Sequence, residues 1–454
     1  MFKTLANAWK IPELRKKLLY TLLLLAIFRF GAFVTAPGVD AELLSLVNKS
    51  SSNTIVGTVN IITGGAFSNL SVFAMSISPY ITASIVVQLL TFAIPALENL
   101  SKDGGEEGRK KINQYMRYAA VILAAIEAFG IYATYKNQGV FIGNGILTPL
   151  LFILTLTAGS TLLMWLAEQI TSRGVGNGTS LLIFAGIVSG IPSAIEYLVH
   201  DLCIVEGALN IKGLIISIAV IIAAIILVAG VVWVTEAERR VPVQYAKRVV
   251  GRKMYGGQNT HIPMKLAMAG VMPIIFAMSF MQLPAMIMQL VNHDIATSTG
   301  FWATMYKVFA FTSLNASLTD ATTGAFNWDI LWCGIAHIVI YLLLIVGFTF
   351  FYTMAMAFNP VEVSNNLKKN GGFIPGIRAG KPTSDYLATI LKYITTFGAF
   401  FLAIIAILPI LVQFAGLRLS FGGTAILIVV GVALESIRQL EAQMLTRHYK
   451  GFLD

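Results

Sequence analysis

Residues 213–240 read GLIISIAVIIAAIILVAGVVWVTEAERR. The first 23 of these positions, 213–235, carry no charge, and an α-helix needs about 20 apolar residues to cross the hydrocarbon core of a bilayer. The run stops at Glu236, and Arg239, Arg240, Lys247, Arg248, Arg252 and Lys253 follow before the next apolar run. A membrane span that enters a basic loop is the unit from which the rest of the chain is read. Nine further runs have spanning length, at about 18–34, 73–97, 118–135, 148–170, 181–199, 270–291, 330–356, 389–412 and 424–440. The expected fold is therefore an all-α integral membrane protein with ten transmembrane helices.

Lys and Arg gather in the loops that stay in the cytoplasm. Of the 32 Lys and Arg, 26 fall on one side, counting Lys392 and Arg438 near span ends, five on the other, and Arg29 well within a span. That asymmetry puts both termini in the cytoplasm. Apolar residues make up 56% and charged residues 12% of the chain, against about 25% charged in a soluble domain. The net charge of +10 then follows from the loop rule rather than from binding to nucleic acid. Cys203 and Cys333 match no metal spacing or redox pair and read as packed thiols.

Residues 1–17 form a short basic amphipathic segment suited to the membrane interface. The first span lacks a small-residue cleavage site and holds Arg29, so it reads as an uncleaved span rather than a signal peptide. Two connections are long at corresponding places: 36–72 on the outer side and 236–269 on the inner. Five spans followed by five more, with the odd connection on opposite faces, suggest an inverted repeat. The halves would be 1–200, with spans 1–5, and 201–454, with spans 6–10 and the inner loops 236–269 and 359–388. Within the outer link, Val59 to Ser71 (VNIITGGAFSNLS) is half apolar and too short to span. On the residues alone it reads as a surface loop.

Several chemistries are excluded. No Walker A loop occurs: in Gly376 to Pro382 the glycines are one residue too close, and Pro382 replaces the required Ser or Thr. No His/Cys/Asp/Glu cluster has metal-ligand spacing, and no cofactor or enzymatic activity is expected. Ion-coupled carriers need intramembrane ionisable groups; here they are Arg29, Glu127 and Glu168. Loop 236–269 alternates around Val241 to Tyr245 and returns through Thr260 to Pro263, which predicts a projecting β-ribbon. Loop 359–388 is patterned with Gly and Pro around Lys368, Lys369 and Arg378. The charge of these loops fits either lipid headgroups or a docking platform for a cytosolic partner.

At these loops the chain resembles the bacterial SecY family of protein-conducting channels. The resemblance rests on Pro79 to Ser84, Glu106 to Tyr115, Trp165 to Ile170, Arg173 to Gly178, Pro242 to Arg248, Gly371 to Lys381 and Arg447 to Leu453. These motifs occur in the family's order and cover almost the whole chain. The resemblance implies two inverted five-helix halves around an hourglass channel in a bacterial plasma membrane. Unfolded polypeptides would cross through it, and transmembrane segments would leave sideways into lipid.

By the same resemblance Val59 to Ser71, with Gly64, Gly65 and Phe67, would be a plug, a short helix in the outer funnel. Ile77, Ile81, Ile183, Ile275 and Ile428 would form the pore ring, where an apolar collar excludes water by dewetting and β-branched side chains are stiff. The lateral gate between spans 2 and 7 would include Thr82 and Gln88, with Ala267 standing early in span 7 where many relatives carry Asn. Arg252, Lys253 and Arg378 would contact the SecA motor or the ribosome, and Lys253 departs from a second Arg. SecE and SecG are the implied subunit partners, beside precursor chains and membrane lipids. Read from composition alone, a secondary transporter of small solutes or a poreless insertase or scaffold stay open as alternatives.

Overall fold

The fold was described from a computed structural model. It covers residues 2–50, 63–102, 104–136, 138–143, 145, 147–196, 198–199, 204–205, 208–245, 248–250, 253–255, 259–291, 295, 298, 300–310, 328–354, 358–414 and 423–450. Helices stand at all ten expected places: span 1 Pro12–Gly31, span 2 Ser78–Ala93, span 3 Gly105–Lys136, span 4 Leu147–Arg173, span 5 Gly178–Ser189, span 6 Ile211–Glu236, span 7 Met272–Val291, span 8 Trp328–Tyr352, span 9 Lys381–Phe414 and span 10 Gly423–Lys450. Span 5 continues after Gly190 as Ile191–Glu196. Among the described residues, seven helices are long and apolar enough to cross a membrane, or eight if span 2 is joined to Pro95–Ser101. Spans 1 and 10 are more charged: span 1 holds Arg15, Lys16, Lys17 and Arg29, and charge enters span 10 from Glu435 onward.

Span 2 ends earlier than its hydropathy predicts. Pro95 disfavours helical backbone at Ile94, which is extended at φ −110° and ψ 111°. The chain turns by 104° there and restarts as Pro95–Lys102. Pro284 and Pro409 lie inside spans 7 and 9, where neighbouring helices can satisfy the freed carbonyls. At the start of span 5, Asn177 Oδ1 accepts from the backbone N–H groups of Thr179 and Ser180 at 3.0 and 3.4 Å, a side-chain N-cap. The amide of Val175 donates to Thr21 Oγ1 at 3.1 Å, so this cap is fastened to span 1.

The amphipathic N-terminal segment becomes a helix, Phe2–Lys10, that docks on the last span. Thr4 Oγ1 donates to Glu441 Oε1 at 3.0 Å, and Ala8, Leu14, Val175 and Leu440 bury a common core. The chain's two ends are therefore held together on the basic-loop face.

The main core draws buried side chains from spans 1, 2, 4, 5, 6, 7, 8, 9 and 10. Span 2 packs along spans 3 and 7, span 7 along span 8, and span 10 along spans 5, 6 and 9. The predicted β-ribbon is present. A short outer hairpin, β1 Ile204–Val205 and β2 Ala208–Leu209, precedes span 6. In loop 236–269, β3 Glu238–Tyr245 pairs antiparallel with β6 Asn259–Lys265, with Val241 opposite Ile262. Between them β4 Arg248–Val250 pairs with β5 Lys253–Tyr255. The sequence reading did not anticipate that β7 Gly372–Phe373, from the other long loop, joins the free edge of β3.

Candidate functional site

The five isoleucines lie in the main core. Ile77 and Ile81 from span 2, Ile183 from span 5, Ile275 from span 7 and Ile428 from span 10 all belong to one apolar cluster. Ile77, Ile183, Ile275 and Ile428 are buried, and Ile81 is half-buried. Ile77 precedes the first residue of its helix and Ile81 lies one turn on, so both share a face. The other three sit within the first two turns of spans 5, 7 and 10. Fully burying an Ile stabilises by roughly 1.5–3 kcal/mol relative to leaving it in water.

On the basic-loop face of the cluster lies a cavity of about 240 Å³. Asn177, Ser180, Lys265, Ala267, Glu435 and Arg438 are among its lining residues. Arg438 Nη2 bonds Glu236 Oε1 at 2.6 Å and donates to the Thr235 carbonyl at 3.3 Å, tying span 10 to span 6. Burial, and then the Arg438 guanidinium, hold the Lys265 ammonium below its ordinary pKa. The cavity's lining is mixed, with Val231, Met268, Val271, Met272, Phe401 and Leu427 beside these polar and charged groups.

On the opposite face the segment before span 2 fills the space. Residues 59–62 lie outside the described residues. Residues 64–70 run as successive turns rather than as a helix. Leu70 and Ser76 have φ values of 38° and 52°, in the left-handed region that non-glycine residues seldom adopt. The segment is strapped to the end of span 1: the Ala36 amide donates to the Leu70 carbonyl and the Val72 amide to the Val34 carbonyl, both at 2.9 Å. Phe67 packs against Tyr135 of span 3, ring centroids 6.5 Å apart. Val72 presses on span 4 so closely that a Cβ on Gly159 would lie 2.0 Å from the Val72 carbonyl oxygen. Gly64 faces spans 1 and 5. Its carbonyl accepts from Arg29 Nη1, and Ser189 Oγ lies 3.5 Å from the same oxygen. Gly65, at φ 91°, has open space where a Cβ would stand.

The predicted gate residues are only partly assembled. Thr82 is buried and Gln88 half-buried on span 2, and Gln88 Oε1 is buried with no hydrogen-bond partner among the described residues. Ala267 does not stand inside span 7, as its sequence position suggested. It lies in the turn before that helix, where the Gly270 amide donates to its carbonyl at 3.1 Å, and it lines the cavity instead. Gly270, at φ 59°, turns the chain before the helix begins at Met272.

Of the predicted partner contacts, Arg252 lies outside the described residues, Lys253 opens β5, and Arg378 is exposed. The Arg378 carbonyl accepts from Thr383 Oγ1 at 2.8 Å, and Ser364 Oγ donates to the Gly380 carbonyl at 2.7 Å. Both long basic loops share one buried core, including Val241, Val243, Met264, Leu367 and Ile374. They form a single platform. Sequence reading found each loop separately but missed their common core, because β7 is only two residues long.

The sequence pattern of the SecY family matches residues 71–437. The chain is 42% identical over 468 aligned residues to the protein translocase subunit SecY of Streptomyces coelicolor, covering all of both chains. It is 41% identical to the same subunit of Halalkalibacterium halodurans and 39% to that of Mycobacterium bovis, again over the full length of each. Among solved structures, a protein-conducting channel superposes with a TM-score of 0.63, at 18% identity and 97% coverage of both chains. A SecY structure described for its plug domain gives a TM-score of 0.65, also at 18% identity and 97% coverage of both chains. The canine Sec61 ribosome-channel complex gives 0.61 at the same identity and coverage.

Proposed function

We propose from the chain's place in the SecY family, to which it belongs, that it is the channel subunit through which unfolded polypeptides cross a bacterial plasma membrane. It is a multi-pass membrane protein and not an enzyme. The observation that supports the reading is that the five isoleucines, from four helices, belong to one buried core, with a cavity of mixed lining on its basic-loop face. An apolar constriction with water-accessible space on one side is a seal that works by dewetting. Because it offers a passing chain no directional bonds, unrelated sequences slide through it.

In this reading residues 59–71 are the plug, and halves 1–200 and 201–454 part between spans 2 and 7 to release transmembrane segments into lipid. The packing of span 2 on span 7 and a Gln88 oxygen with no partner among the described residues support a seam that opens at low cost. Ala267 contributes from the cavity wall beside that seam. The basic platform, with Arg252, Lys253 and Arg378, faces the cytoplasm with both termini and receives the SecA motor or the ribosome. Its cationic surface suits rRNA phosphates and acidic faces of a motor alike. SecE and SecG complete the complex in the lipid bilayer.

The test is reconstitution into liposomes with SecE, SecG, SecA, ATP and a secretory precursor. The precursor becomes protease-protected if the reading holds. A precursor that stays fully digestible, with SecA bound and hydrolysing ATP, contradicts it.

A further inference from the structure

We propose that Arg29 is a latch that holds the plug in its seat, and that its release couples plug departure to wetting of the outer funnel. The inference rests on reading residues 59–71 as the plug. Arg29 interrupts the apolar run LLLLAIFRFGAF in span 1, and a guanidinium at membrane depth is costly unless it finds acceptors. The structure supplies one from the plug itself: Nη1 donates to the Gly64 carbonyl, while the guanidinium stands 4.6 Å from the centroid of the Phe33 ring, within cation–π range.

The seat has a second wall. Ser189 Oγ, on span 5, donates to the Gly186 carbonyl at 2.7 Å and lies 3.5 Å from the Gly64 carbonyl. A Cβ on Gly64 would lie 2.1 Å from Ser189 Oγ, 2.7 Å from the Gly186 oxygen and 3.1 Å from Arg29 Nη1. Gly64 also has φ 62°, which a side chain disfavours. The plug thus touches spans 1 and 5 through a bare backbone carbonyl in a seat that admits no side chain.

A neutral acceptor suits a latch. A carboxylate partner would hold Arg29 through the attraction of two full charges, and parting them would leave both unmatched. With a carbonyl, the only charge left when the plug moves is the guanidinium, which water satisfies once the funnel fills. Arg29 therefore favours two states, plug seated or funnel wet, over a dry funnel without its plug. It is a positioning residue for the seal.

The test uses the intact reconstituted complex with Phe67→Cys and Tyr135→Cys joined by a short bis-maleimide, in a background lacking Cys203 and Cys333. Arg29→Leu is expected to cut the resting crosslink severalfold and to raise resting ion conductance about tenfold, the scale of losing one charge-assisted hydrogen bond. Arg29→Lys, which keeps a charged donor, is expected to retain most of the crosslink. If Arg29→Leu does not insert, Gly64→Ala disturbs the seat from the plug side and is expected to lower the crosslink likewise. A wild-type crosslink yield in Arg29→Leu, or in Gly64→Ala should the former not insert, overturns the latch. A crosslink in the parent channel that an arrested precursor leaves unchanged would instead overturn the plug reading itself.

Discussion

An isoleucine in a membrane span carries no signal of its own, and Ile81 and Ile275 show why. In sequence they look like any lipid-facing or packing residue, and only the fold places them in one core with Ile77, Ile183 and Ile428. The proposed seal would depend on apolar surface, so a change of polarity should matter more than a change of shape. Ile81→Ser with Ile275→Ser is expected to wet the constriction and raise resting conductance in planar bilayers. Conductance equal to the parent channel would mean the seal lies elsewhere. Gln88 poses the opposite case, a buried acceptor without a partner among the described residues. An unmet buried polar group costs about 1–3 kcal/mol, so Gln88→Leu should stabilise the closed seam. Export of a precursor with a marginally hydrophobic signal is expected to fall severalfold, while a strongly hydrophobic signal is little affected. Better export of the weak precursor would place Gln88 outside the seam.

Among the elements, the spans were legible because length and apolarity are demanded by the bilayer itself. Their ends were not: Pro95 stops span 2 at Ala93 through backbone sterics, and Ala267 falls in a turn rather than in span 7. The segment before span 2 was the least legible. It has neither spanning length nor helical period, and its depth is set by contacts that no local pattern encodes: Phe67 on Tyr135, Gly64 on Arg29, Leu70 and Val72 on the end of span 1. If it is a plug, these contacts must break when a chain enters. The Phe67→Cys and Tyr135→Cys pair should crosslink readily at rest and poorly with a precursor arrested in transit. Equal yields in both conditions would show a fixed wall instead of a movable stopper.

For the whole molecule, the alternation from Val241 to Tyr245 foretold the ribbon of loop 236–269. The union of loops 236–269 and 359–388 escaped notice because it is built from long-range packing of Leu367 and Ile374 on Val241 and Val243. That shared core ties together the two loops that join span 6 to span 7 and span 8 to span 9. Arg378 is exposed on the platform they form, and Arg378→Glu is expected to weaken precursor transport severalfold while the channel still inserts and assembles. Unchanged transport at matched expression would remove Arg378 from the docking surface. The central claim, that a polypeptide passes through the isoleucine ring, is tested most directly by a photo-reactive residue at Ile183 or Ile428 with a precursor arrested midway. The account predicts crosslinks from both positions to the middle of the arrested chain, absent without SecA and ATP. A protease-protected precursor that crosslinks to neither position would contradict it.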